Sequence, residues 1–150
     1  MGVMPGAEPF AADGGDMGVG LSHGFTGAPR SLRPWAEHLA AAGMTVRLPR
    51  LPGHGTRWQD LNDTRRPDRY GEVERAFDDL PGRCRQVFAV APLSGRLREG
   101  ARSTVVTEVI LEESYHVATL DHDAPDIFAG TVEWIQRHPA VAGSARPAGD

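Results

Sequence analysis

Between Met17 and Leu51 the chain passes through an apolar run, a glycine turn, an amphipathic stretch and a second apolar run. "MGVGLSHGF" (Met17 to Phe25) is short, apolar and closed by a glycine-containing turn, the pattern of a strand buried on both faces. From near Ser31, the residues Leu32, Trp35, Leu39 and Ala42 recur at helical spacing, and Gly43 stands where a helix would stop. "MTVRLPRL" (Met44 to Leu51) then reads as a second strand, closed by Pro52 and the turn "PGHG". Strand, helix and strand in this order form a βαβ unit, which commits a chain to a parallel sheet with helices laid on it.

The alternation continues. "WQDLNDTRRPDRY" reads as loop, and from Asp68 a helix with Val73, Ala76, Phe77 and Leu80 on one face is expected to end at Pro81–Gly82. "RQVFAVA" (Arg85 to Ala91) is a third strand and "VVTEVILEES" (Val105 to Ser114) a fourth, with two turns of helix in "SGRLREGARS" between them. Pro125 opens a last helix with Ile127, Phe128, Val132 and Ile135 on one face. The expectation is one α/β domain over residues 17–138, a mostly parallel sheet of about four strands with flanking helices. Residues 1–16 are expected to be a loosely held arm and 139–150 a disordered tail.

Composition narrows the function. All 16 basic residues are Arg, scattered without forming a stripe, and the net charge is -4. Neither a nucleic acid nor an anionic membrane is indicated as a partner. No apolar run is long enough to span a membrane. The N-terminus lacks the basic and apolar regions of a signal peptide, and Cys84 is the single cysteine. A reducing, cytoplasmic setting is expected.

Ligands of open α/β sheets gather at the carboxyl ends of the strands. His23–Gly24–Phe25 follows the first strand, Ser94 the third and His116 the fourth. Each has a plain structural alternative: a turn histidine bonded to backbone, a helix N-cap beside Gly95, and a structural histidine. His116, Asp121, His122 and Asp123 cluster in sequence but lack a metal-ligand spacing such as H-E-x-x-H, so neither metal nor cofactor is expected.

Taken together, "HGFTGAPRSLRPWAEHLAAAGMTVRLPRLPGHGTRWQDL" and "SYHVATLDHDAPDIF" resemble the bacterial carboxylesterase and monoacylglycerol-lipase branch of the α/β-hydrolases. The resemblance runs from about Pro5 to His138. It implies a partial α/β-hydrolase fold and a serine hydrolase that acts on small or medium-chain acyl esters. Members of that family carry a nucleophilic Ser on a G-x-S-x-G elbow, followed in the chain by an acid and then a His. By resemblance His116 is the general base, and the backbone N–H of Phe25 is one oxyanion donor beside His23 and Gly24. His54, in "LPGHG", falls in the family's structural loop near the site.

The elbow is where the resemblance breaks. Pro92-Leu93-Ser94-Gly95-Arg96 has neither outer glycine, Pro92 fixes φ, and Arg96 brings a long side chain to a position that needs close backbone approach. Only twenty-two positions separate Ser94 from His116, too few for the further helix, strands, lid and acid that relatives place there. A second alignment sets "PLSGRLREGARSTVVTEVILEESYHV" against the family segment after the acid, which leaves Ser94 a look-alike and the nucleophile in a deleted block. A Ser94–His116 pair stays geometrically possible but has no acid and is expected to be slow, since Asp121 suits the orientation of the loop around the base rather than the acid's position. Two rivals to a carboxylesterase remain: a non-catalytic remnant or binding module that keeps part of the acyl pocket, and a poorly folded product of a damaged sequence. Oligomeric state is not legible.

Overall fold

A computed structural model describes residues 2–24, 27–91 and 117–138. Four strands form one sheet: β1 (Phe10–Ala12), β2 (Met17–Leu21), β3 (Thr45–Leu48) and β4 (Gln86–Val90), in the order β1-β3-β2-β4. β2 runs parallel to both β3 and β4, while β1 lies antiparallel along the outer side of β3. The helices are α1 (Pro29–Ala41), α2 (Arg66–Phe77), the single turn α3 (Leu80–Arg83) and α4 (Ala124–Arg137), with short 3-10 turns at Trp58–Leu61 and Ala118–Leu120.

Alternation along β2 explains how the two sheet faces are filled. Val19 and Leu21 point into the main core with Val46 and Leu48 of β3, Leu32, Trp35, Ala36 and Leu39 of α1, and Ile135 of α4. On the opposite face a Cβ at Gly20 would lie 2.5 Å from the Phe77 ring, and one at Gly18 would lie 2.9 Å from Cys84 Sγ. The glycines therefore let the end of α2 and the α3 turn close onto the sheet. Both faces of β2 are covered, as expected of a parallel strand. At the end of α1, Gly43 adopts φ +88°, a left-handed geometry that ends the helix and turns the chain into β3.

α4 belongs to the same packed body. Its Phe128 stacks on Trp35 with ring centroids 6.4 Å apart, and Trp134 meets the Phe88 ring edge-on at 5.8 Å. Gln86 of β4 also donates from Nε2 to the His138 carbonyl.

Several expectations need correction. Residues 2–16, expected to be a loose arm, are tied to the rest: Phe10–Ala12 adds a strand, Ala7 is buried, and the Met4 N–H donates to the Gly55 carbonyl at 2.8 Å. What fixes the strand is long-range, with Phe10 packed on the core and the Arg33 guanidinium 5.6 Å from its ring centroid. The expected loop from Trp58 to Tyr70 contains the 3-10 turn and the first turn of α2, where the Asp68 carboxylate accepts the Arg65 N–H at 2.7 Å. Pro81–Gly82 does not end α2 but lies inside α3. Among the described residues the sheet has four strands, and β1 is one that was not expected. The expected strand at 105–114, the short helix before it and the tail at 139–150 lie outside the described residues.

Candidate functional site

Two loops meet beyond the carboxyl ends of β2 and β3. The first leaves β2 at Ser22, whose N–H donates to the Val90 carbonyl at 3.1 Å, and then turns so that the Gly27 N–H donates to the Gly24 carbonyl at 3.0 Å. Among the described residues nothing lies within 4 Å of a Cβ built on Gly24. The second loop, residues 49–56, depends on two left-handed glycines, Gly53 at φ +77° and Gly55 at φ +69°. Its own bonds hold it in shape: the His54 N–H donates to the Leu51 carbonyl at 3.0 Å, His54 Nδ1 meets the Pro52 carbonyl at 3.0 Å, and Arg50 Nη1 donates to the His54 carbonyl at 2.8 Å.

His23 joins the loops. The Leu51 N–H donates to His23 Nε2 at 3.1 Å, and Nδ1 lies 3.1 Å from the Gly24 carbonyl. Because Nε2 accepts, Nδ1 must carry the proton and donate, which fixes one neutral tautomer. The ring is 3 % exposed, and the His54 ring sits 5.1 Å away, tilted by 58°. Burial is the main reason its pKa falls to about 4; the Gly24 bond opposes that fall, while His54 and Arg50 add to it. Both ring nitrogens are committed to the backbone, so the geometry gives His23 no atom with which to meet a substrate.

A third segment reaches the same neighbourhood. The buried Thr119 hydroxyl donates to the Ser31 carbonyl in the first turn of α1, at 2.6 Å. Residues 117–120 are thereby fastened to the helix that begins just after the His23 loop. Asp121 closes the following turn: its carboxylate accepts the His122 N–H at 2.9 Å and meets His122 Nδ1 at 2.7 Å, while its carbonyl accepts the Ala124 N–H at 3.0 Å. Phe25, Ser94 and His116 lie outside the described residues. Sequence reasoning missed the Leu51 amide, which every residue type but proline would supply, and Thr119, whose burial no periodicity announces. Among the described residues no group of three His, Cys, Asp or Glu is placed to hold a metal ion. No described helix is long and apolar enough to cross a membrane.

Comparison with known proteins bears on this arrangement. No family model matches the chain. A thermostable monoacylglycerol lipase of Bacillus sp. (strain H-257) is 51 % identical over 86 residues, 57 % of this chain and 34 % of the relative. A carboxylesterase of Bacillus subtilis (strain 168) is 32 % identical over 87 residues, 58 % of this chain and 35 % of the relative. A solved structure from the metagenome-derived lipolytic enzymes LipS and LipT matches with a TM-score of 0.58 and 42 % identity, over 60 % of this chain and 37 % of that one. Over the matched residues the chain is similar to the bacterial esterase and lipase branch of the α/β-hydrolases. It spans about a third of the length of the curated relatives it matches. The α/β class expected from the alternation is the class observed, both in the sheet and in its structural neighbour.

Proposed function

We propose that this α/β-hydrolase chain is a carboxylesterase-type protein by descent that recognises carboxylic acyl esters, and that its ester-cleaving machinery is incomplete. The observation that carries the reading is the Thr119–Ser31 hydrogen bond. It draws the block that resembles the family's base-side motif to the helix that follows the block resembling its oxyanion-side motif. In this reading the carbonyl oxygen of the ester accepts from the Phe25 backbone N–H, and no described residue crowds a Cβ position at the neighbouring Gly24. His116 occupies the general-base position. The relatives named monoacylglycerol lipase and carboxylesterase support an acyl ester as the ligand class.

The incompleteness rests on sequence. Ser94 lacks both elbow glycines, and the short span to His116 leaves no room for the acid. A second reading, a Ser94–His116 pair that cleaves esters slowly, gains from the same Thr119 tether, which keeps the residues after His116 near the His23 loop. Loss of the orienting acid alone costs a serine hydrolase about 10⁴ in kcat, so such a pair is expected to be weak.

Recognition is tested by titrating the 15N-labelled chain with a short-chain and a medium-chain monoacylglycerol below its aggregation concentration. The reading predicts saturable amide shifts at Gly24 and Gly27, while Val19 and Val46 in the sheet stay unchanged. Absence of shifts at the two loop glycines in a folded sample refutes it.

A further inference from the structure

We propose that the His23 imidazole is an acid-released bolt between the two loops of the candidate site, holding the turn at Gly24 to the loop at Leu51 while neutral and letting go when Nε2 is protonated. The proposal goes beyond ester recognition and stands whether or not an ester is cleaved.

The geometry carries it. A neutral Nδ1–H ring satisfies both neighbours at once, donating to the Gly24 carbonyl and accepting the Leu51 N–H, each at 3.1 Å. A protonated ring carries a second N–H on Nε2, which would face the Leu51 N–H donor to donor. At 3 % exposure, water has no ready access to relieve that opposition, so one side of the contact must move. Each loop also has bonds of its own: Gly27 to Gly24 in the first, and Arg50 to His54, His54 to Leu51 and His54 to Pro52 in the second.

The charged surroundings oppose protonation of the closed form. Arg50 and His54, both on the second loop, act on the ring, and each disfavours a positive charge there. The ring accordingly holds its neutral form down to about pH 4 while the loops are together. In the separated form it regains water and a histidine's ordinary affinity for a proton, near 6.5. Acid thus favours separation, and separation favours the proton, as linkage requires.

The test is amide hydrogen exchange together with imidazole 15N shifts on the labelled chain, stepped from neutral pH toward pH 4. The wild-type chain is compared with His23→Gln, whose amide oxygen offers a non-titrating acceptor to Leu51, and with His23→Phe, which offers none. Expected for the wild type is a fall of at least about tenfold in Leu51 protection, corrected for intrinsic exchange, in step with His23 titration, while Val19 and Val46 stay protected. His23→Gln is expected to keep Leu51 protected throughout, and His23→Phe to leave it unprotected at neutral pH. Should His23→Phe fail to fold, wild type and His23→Gln decide the matter alone. Three results would overturn the bolt: His23 titrating with no change at Leu51, the same fall in His23→Gln, or a fall shared by Val19 and Val46, which would be unfolding rather than release.

Discussion

Replacing Ile135 by Ala tests whether the segment after residue 116 is built into the sheet's core. Ile135 is 1 % exposed and lies in one cluster with Val19, Leu21, Trp35 and Leu39. The substitution deletes about three carbon groups, worth roughly 0.8 kcal/mol each in transfer free energy. The cavity that partial relaxation leaves behind adds to this, giving an expected loss of about 3 kcal/mol within the roughly 2–5 kcal/mol seen for such truncations. Against a total stability of roughly 5–15 kcal/mol that is a large fraction. Urea unfolding followed by tryptophan fluorescence measures it, with Trp35 and Trp134 on the two packed helices as reporters. Glu133→Ala, on the exposed side of α4, is the control and is expected to stay within about 0.5 kcal/mol of the parent. A loss below about 0.5 kcal/mol for Ile135→Ala would refute the reasoning, because α4 would then not rest on the core.

Thr119→Val keeps the shape and removes the hydroxyl that donates to the Ser31 carbonyl; about 0.5–1.5 kcal/mol should be lost, read as a lower urea midpoint. Gly53→Ala forces a side chain into φ +77° and sets its Cβ 2.8 Å from the Asp60 carbonyl oxygen and Thr64 Oγ1; a loss of at least about 1–3 kcal/mol is expected by thermal unfolding. Asp79 bonds Arg47 at 2.8 Å, and that hydrogen bond, with the charges of Arg47 and Arg83, holds its carboxyl below the ordinary 3.8. Its contribution is present above that value and lost as pH falls through the lower folded-state pKa, so Asp79→Asn should lower stability at neutral pH and flatten the acid limb of a pH–stability curve.

The βαβ unit was legible because its signals are local. Leu32, Trp35 and Leu39 repeat at helical spacing, and Gly43 stops the helix where a left-handed residue is needed. β1 was hidden for the opposite reason: three residues carry no periodicity, and the strand exists through its pairing with β3. Pro81 misled because proline both ends helices and starts them, and here it stands in the first turn of α3. In β2, Gly20 makes room for the Phe77 ring, a contact that no local pattern announces. At the site, His23 and His54 could be picked out as side chains near it. Their partners could not, because a backbone N–H at Leu51 and carbonyls at Gly24 and Pro52 have no sequence signature.

The most direct test of the account is fluorophosphonate labelling of the purified, folded chain, with mass spectrometry to locate any adduct and Ser94→Ala and His116→Ala as controls. The account predicts no adduct at Ser94, because an elbow without its glycines and a base without its acid do not make an activated serine. A label on Ser94 that disappears in His116→Ala would contradict it and establish a working Ser–His pair.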